Sequence, residues 1–211
     1  MIEPLTPPPI EKPDIVVPDA GPLTHLAQAN LLHLLHEAGG AVVVVDMVAH
    51  EVTRDLSKPG ATELHEWMQR GREPGSNQPV RVEETDTGRL YTAALEARPD
   101  FKLRNGGETA IVEWLAEKIA GTDRPVIVLY ENGRVPIIVR NQSMDADIDV
   151  MTTRAFLEGM QRRDMARKGE AIPASSTRLP ATAETYWNRV AAVEPTANSR
   201  VQSFSQRRVR S

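Results

Sequence analysis

The chain has 211 residues, enough for one well-buried α/β core with a tail, and its 25 basic and 29 acidic residues give a formal net charge of -4. This balance excludes a general electrostatic attraction to nucleic acid, so any such binding depends on local patches. The absence of cysteine excludes disulfides, thiolate catalysis and cysteine-bound zinc, and it is typical of a reducing cytoplasm.

The two ends of the chain differ in composition from the part between them. Residues 1–13 are rich in proline and lack the basic and then apolar pattern of a signal peptide. All apolar runs are short, which predicts no membrane-spanning helix and favours a cytoplasmic location. We therefore predict a proline-rich leader at 1–13, one α/β domain at 14–165, and a flexible basic tail at 166–211 with a short helix around Tyr186, Trp187 and Val190.

The first half of the domain predicts two consecutive strand–helix units. A β-branched run at 15–17 is followed by Pro22, which a first helical turn tolerates. Apolar residues with helical spacing predict a single helix up to Gly39-Gly40, and the continuous apolar run at 41–45 is typical of a strand buried on both faces. Asp46 is the predicted N-cap of a short helix that carries Glu51.

The second half predicts further helices at 61–70, from a Thr87 cap to residue 95, and after Asn105-Gly106-Gly107. The predicted strands are 80–82, 125–129 and 148–151, the last leading into a helix at Thr152-Thr153, while 135–139 fits either a hairpin or another sheet strand. This alternation predicts a three-layer α/β/α sandwich with a central, mainly parallel sheet. Its ligand site is expected at the carboxyl ends of the strands.

Three carboxylates stand where this fold would bring them together. Asp19 follows the first strand, Glu51 lies in the helix after the second, and Glu108 begins a later helix. Each alone fits an ordinary role, as a helix cap, a solvated side chain or a group that favours the helix dipole. Converging carboxylates repel one another unless a cation lies between them, and Mg²⁺ with phosphate oxygens suits such a site. The set therefore favours phosphodiester cleavage.

Four segments in order resemble the PIN-domain ribonucleases, and in particular the VapC-type toxins of bacterial toxin–antitoxin pairs. They are Val17-Pro18-Asp19-Ala20-Gly21-Pro22-Leu23, Val43-Val44-Val45-Asp46-Met47-Val48-Ala49-His50-Glu51-Val52, Gly107-Glu108-Thr109-Ala110-Ile111 and Thr152-Thr153-Arg154-Ala155-Phe156-Leu157. The resemblance implies a PIN-like fold in which Asp19, Glu51 and Glu108 are catalytic ligands of Mg²⁺ or Mn²⁺.

The resemblance also implies a fourth acid after the strand at 125–129. Glu131 is the choice, with Asp145, Asp147 and Asp149 as alternatives if the following strand supplies it. Thr152 or Thr153 could bind a phosphate or simply cap a helix.

The function that the resemblance implies is metal-dependent hydrolysis of RNA by a homodimeric toxin, which a cognate antitoxin protein inhibits. One alternative is a PIN-fold binding or scaffold module without catalysis. A second is a small-molecule phosphatase, which is disfavoured because Gly21, and not a second aspartate, stands two residues after Asp19. The basic residues expected near the substrate are few: Arg54, Lys58, Arg134 and Arg140.

The histidines and tryptophans predict no separate site. His25, His33, His36, His50 and His65 are scattered without a three-ligand spacing, so surface or partly buried positions are expected. Trp67 and Trp114 fit helix faces that pack against the core or a dimer partner.

Overall fold

The computed structural model describes residues 13–131 and 147–168, which contain five strands and seven helices. The strands are β1 (Ile15–Pro18), β2 (Ala41–Val45), β3 (Val80–Glu83), β4 (Val126–Tyr130) and β5 (Ile148–Thr152). The helices are α1 (Ala20–Gln28), α2 (His33–Glu37), α3 (Asp46–Thr53), α4 (Ala61–Arg72), α5 (Asp86–Ala97), α6 (Gly106–Lys118) and α7 (Thr153–Lys168).

The strands form one parallel sheet in the order β3-β2-β1-β4-β5. Every residue of β1 and nearly every residue of β2 and β4 is buried, although successive side chains point to opposite faces. Both faces of the sheet are therefore covered, which explains the continuous apolar runs. The predicted α/β fold with a parallel sheet is confirmed and is consistent with a PIN-like fold.

The strand order creates a natural binding crevice beside β1. The chain moves outward from β1 to β2 and β3, and then crosses back to place β4 on the other side of β1. In open α/β sheets, ligands bind outside the carboxyl ends of the strands at such a reversal. The residues that follow β1 and β4 are Asp19 and Glu131.

The predicted single helix after β1 is wrong, because it is divided into α1 and α2. Asn30 takes a left-handed conformation with φ 55°. The N–H of Leu31 bonds to the carbonyl of Leu26, and the N–H of Asn30 to that of Ala27, as in a Schellman motif. The leucine spacing continues across this break because both helices pack against the same core.

Two predicted helix starts also differ from the structure. Helix α3 begins at Asp46 itself. The Asp46 carboxylate accepts hydrogen bonds from the Thr85 N–H at 2.9 Å and from the Thr85 hydroxyl at 2.8 Å. Helix α5 is capped by Thr85 and not by Thr87, since the Thr85 hydroxyl accepts from the Gly88 N–H at 3.0 Å. One carboxylate thus ties the end of β3 to the starts of two helices.

Several predictions concern residues outside the described part of the chain. They are the leader up to residue 12, the strand or hairpin at 135–139, Arg134, Arg140 and Asp145, and the tail beyond residue 168, including its short helix. Helix α7 continues to Lys168, past the predicted start of the tail at 166. Within residues 13–131 and 147–168, none of the helices has the length and hydropathy needed to cross a membrane.

Candidate metal centre

Asp19 lies at the bottom of the crevice between β1 and β4. Its backbone N–H donates to the carbonyl of Leu129 at 2.9 Å, which anchors the residue to the end of β4. Only 6% of its surface is exposed. Asp19 occupies the N-cap position of α1, yet among the described residues its carboxylate makes no capping hydrogen bond. The capping role considered from the sequence therefore does not explain its carboxylate.

Glu51 and Glu108 approach Asp19 around a glycine in the first turn of α6. A Cβ placed on Gly107 would lie 3.4 Å from Asp19 Oδ1 and 3.6 Å from Glu51 Oε2. The two carboxylate oxygens are thus no further apart than the sum of these distances. Glu108 is the next residue of the same turn. A side chain at position 107 would therefore contact both the Asp19 and the Glu51 carboxylates.

Glu131 reaches the crevice from the end of β4. Its Cγ and Cβ lie 3.0 and 3.2 Å from the Cβ position of Gly21, in the first turn of α1. His25, one turn further along α1, places Nδ1 3.5 Å from Glu131 Oε1. The side chains of His25 and Glu131 are 16% and 31% exposed, respectively. Helix α1 therefore positions the fourth acid as well as the first.

The electrostatics differ sharply between these two acids. Burial raises the pKa of Asp19, the Ala20 N–H lowers it, and the charges of Glu108, Glu51 and Glu131 raise it further, to about 6. Burial also raises the pKa of Glu131, but the His25 side chain and the hydroxyl and N–H of Thr153 lower it below its ordinary value. The ionised form of Glu131 is therefore stabilised, whereas the ionised form of Asp19 is destabilised.

Thr153 adds a further oxygen to the site. Its side chain is fully buried at the start of α7, and its hydroxyl has no partner of normal hydrogen-bond geometry within the described ranges. Thr153 lies near Glu131 and lowers the pKa of that carboxyl. The neighbouring Thr152 has a different role, because its hydroxyl accepts from the Ala155 N–H at 3.2 Å and caps α7. The capping role thus belongs to Thr152, and the binding role stays a prediction for Thr153.

This donor set fits a hard divalent cation. Carboxylates that follow β1 and β4 or stand on α3 and α6 surround one crevice, and burial, together with the charges of the other three acids, raises the pKa of Asp19, the most buried one. Oxygen ligands of this kind are those that Mg²⁺ and Mn²⁺ prefer. A cation there would offset the repulsion that the protein alone does not.

The alternative fourth acids that the structure describes lie elsewhere. The carbonyl of Asp147 accepts from the Val126 N–H at 2.9 Å, which places Asp147 at the amino end of β4 and β5, opposite to the crevice. Asp149 pairs with Ile127 along the edge strand β5 and is exposed. Neither is brought to Asp19, whereas Glu131 is.

A second acidic group, Asp86, Glu113 and Glu117, has a structural explanation. Its carboxylate oxygens lie within 4.8 Å of one another on the surface of α5 and α6. The Glu113 carboxylate accepts from the Asp86 N–H, the Thr87 N–H and the Thr87 hydroxyl, and Asp86 forms an ion pair with Arg89. Glu113 thus stabilises the first turn of α5, whose N–H groups lack partners within the helix.

The remaining sequence predictions around the site have mixed outcomes. His33, His50 and His65 are exposed, while His25 and His36 are partly buried, and both Trp67 and Trp114 pack in the core. Arg54, the C-cap of α3, and Lys58 in the following loop are both exposed. Sequence reasoning missed the contact of His25 with Glu131. The two residues lie far apart in the chain, so no spacing in the sequence indicates the contact.

Comparison with known protein families agrees with this geometry. A family model described as PIN domain matches residues 15–86, about a third of the chain. The matched segment is similar to a PIN domain and contains Asp19 and Glu51, whereas Glu108 and Glu131 follow it. No curated protein matches the chain significantly. The match supports the PIN-domain family and does not distinguish among its kinds.

Proposed function

We propose that the chain is a PIN-domain, metal-dependent endoribonuclease that hydrolyses RNA phosphodiester bonds. The observation that carries the proposal is the buried Asp19 carboxylate, whose pKa is raised to about 6 by burial and by the charges of three further acids. The match of residues 15–86 to a PIN domain supports the same conclusion, because PIN domains are typically metal-dependent nucleases.

The four acids have distinguishable roles in the proposed site. Asp19 supplies the most deeply buried oxygens, and Glu131 supplies a carboxylate that His25 and Thr153 keep ionised. Glu51 is exposed and Glu108 is partly exposed, so they form the side of the crevice that an RNA phosphate reaches first. When Mg²⁺ or Mn²⁺ is bound, it supplies activation of water and neutralisation of the charge that develops on the phosphate.

The biological setting is a finer proposal, which the resemblance to VapC-type toxins supports. In it the chain is the toxin of a toxin–antitoxin pair in the cytoplasm, acts as a homodimer, and is inhibited by a cognate antitoxin. Such an inhibitor would have to cover the crevice that contains Glu51 and Glu108.

Cleavage of labelled RNA tests the proposed activity. Purified protein, the Asp19→Asn variant and the Glu113→Gln variant are incubated with a mixed RNA pool, with Mg²⁺ or Mn²⁺ and with chelator. Glu113 is the matched control, because it is an acid on α6 that stabilises α5 and lies outside the crevice. We expect cleavage by the parent and by Glu113→Gln, and its loss with Asp19→Asn or chelator.

Other outcomes would overturn the proposal. Intact RNA with every pool and both metals would favour a binding module that retains the fold without catalysis. Hydrolysis of a small phosphate ester with a phosphorylated Asp19 would instead favour a phosphatase.

A further inference from the structure

A row of flat side chains runs along the surface next to the acidic crevice. Tyr91 on α5 lies against His50 on α3, with ring centroids 5.2 Å apart, and against Phe101 at 6.0 Å. The guanidinium of Arg98 lies 5.2 Å from the centroid of the Phe101 ring. We define the aromatic strip as His50, Tyr91, Phe101 and Arg98.

The strip is accessible, and two of its residues lie close in the chain to acids of the crevice. His50 and Arg98 are exposed, and Tyr91 and Phe101 are partly exposed. His50 is the neighbour of Glu51 on α3, whereas Phe101 lies in the connection that leads into α6 and so to Glu108. The same two acids form the exposed side of the crevice. A polymer that lies on the strip can therefore continue past both of them.

Positive charge accompanies the strip. The connection from 98 to 105 carries Arg98, Lys102 and Arg104 against a single acid, Asp100, and all four are exposed. Arg54, the C-cap of α3, stands four residues after His50, a spacing at which side chains share one helix face. This local excess contrasts with the net charge of -4 for the whole chain. Phosphate groups are its natural complement.

Aromatic rings that are not fully buried, bordered by basic side chains, fit one class of polymer. Bases of a single strand stack on aromatic and guanidinium planes while basic groups follow the phosphates. A duplex hides the faces of its bases, so it cannot use the rings. A peptide could contact the rings, but it would also use the apolar Leu90 beside Tyr91, which is 71% exposed.

We propose that the aromatic strip binds single-stranded RNA by base stacking and directs its backbone to Glu51 and Glu108. The inference rests on the proposed function for the identity of its ligand. It names a binding surface for the RNA outside the acidic crevice.

Fluorescence anisotropy with a labelled single-stranded RNA of about 12 nucleotides tests the strip. Chelator is present throughout, so that binding is measured without cleavage. We expect Tyr91→Leu and Phe101→Leu to weaken binding about tenfold each, because each variant loses the stacking of one base. Tyr91→Phe and Phe101→Tyr retain a ring and should bind within about twofold of the parent.

Two further variants separate stacking from simpler roles. Leu90→Ala is the matched control on α5, since it removes exposed apolar surface without removing a ring, and its affinity should equal that of the parent. Lys102→Ala should weaken binding and reduce the salt dependence by about one phosphate contact. His50→Ala removes an exposed ring and tests the strip independently if a leucine variant lowers the melting temperature.

The outcomes distinguish the strip from the proposed function. If the parent binds and cleaves RNA and the variants that lose a ring bind equally well, the proposed role of the strip is wrong and the nuclease proposal stands. Equal losses of affinity for duplex RNA, or a large loss with Leu90→Ala, would also overturn stacking of unpaired bases. If the parent neither binds nor cleaves RNA, the proposed function itself fails.

Discussion

Replacing Asp19 by Asn should stabilise the metal-free protein at neutral pH. In the fold, burial and three neighbouring acids raise the pKa of Asp19 from 3.8 to about 6. This difference corresponds to a cost of about 3 kcal/mol for the ionised carboxylate. The neutral amide of Asn avoids that cost, so Asp19→Asn should gain up to about 3 kcal/mol in the free energy of unfolding at pH 7.5.

The pH dependence follows from the sign of the shift. Between pH 3.8 and about 6 the folded protein binds the proton of Asp19 and the unfolded chain releases it. Stability therefore falls as the pH rises through this window and is constant above it, as far as Asp19 is concerned. The gain from Asp19→Asn should be full above pH 6 and should vanish below pH 4.

Urea unfolding in chelator across this pH range measures the effect. Asp14→Asn is a suitable control, because Asp14 lies just before the other end of β1, is exposed and pairs with Arg124. Its effect should stay within about 0.5 kcal/mol. A gain from Asp19→Asn that does not depend on pH, or a loss of stability at pH 7.5, would refute the claim that repulsion and burial dominate at this carboxylate.

Other predictions test the surroundings of the site. Gly88→Ala should cost about 2 kcal/mol in urea unfolding, because a Cβ there would overlap the Asp46 carboxylate that holds Thr85, whereas Thr92→Ala on the exposed side of α5 should change little. Glu113→Gln should cost about 1 kcal/mol and leave RNA cleavage intact, while Glu108→Gln on the same helix should abolish cleavage; equal cleavage by the two would contradict the placement of the centre. Burial and the charge of His33 lower the pKa of His36, whose Nε2 accepts from Trp67 Nε1 at 3.2 Å. The free energy of unfolding should therefore fall as the pH falls below 6.5, and His36→Gln should flatten that part of the stability curve. An unchanged slope in His36→Gln would contradict this prediction.

The positions of the strands were the most predictable part of the fold. Runs such as residues 41–45 are almost entirely valine, which only a strand covered on both faces accommodates well. The break at Asn30 was not predictable from the leucine spacing, because a left-handed residue interrupts the helix without changing which side chains face the core. The cap at Thr85 was missed because the hydrogen bonds that fix Thr85 run to Asp46, 39 residues away.

The candidate site likewise contains residues that the sequence predicts and contacts that it does not. Asp19, Glu51 and Glu108 could be selected from the sequence because Asp19 follows a strand, Glu51 lies in the short helix after the next strand and Glu108 begins a later helix. The choice of Glu131 over Asp147 depends on which end of β5 faces the crevice, and only the sheet register decides that. The contacts of Glu131 with His25 and Thr153, and the aromatic strip, arise between distant segments. No spacing in the sequence predicts them.

Calorimetric titration of Mn²⁺ into the metal-free protein tests the central claim most directly. The claim is that the acids around Asp19 hold one divalent-cation centre. We expect saturable binding by the parent and by Glu113→Gln, with protons released below about pH 6 because Asp19 must ionise, and loss of that binding with Asp19→Asn. Equal binding by Asp19→Asn, or loss of binding with Glu113→Gln alone, would contradict the claim and place the cation elsewhere.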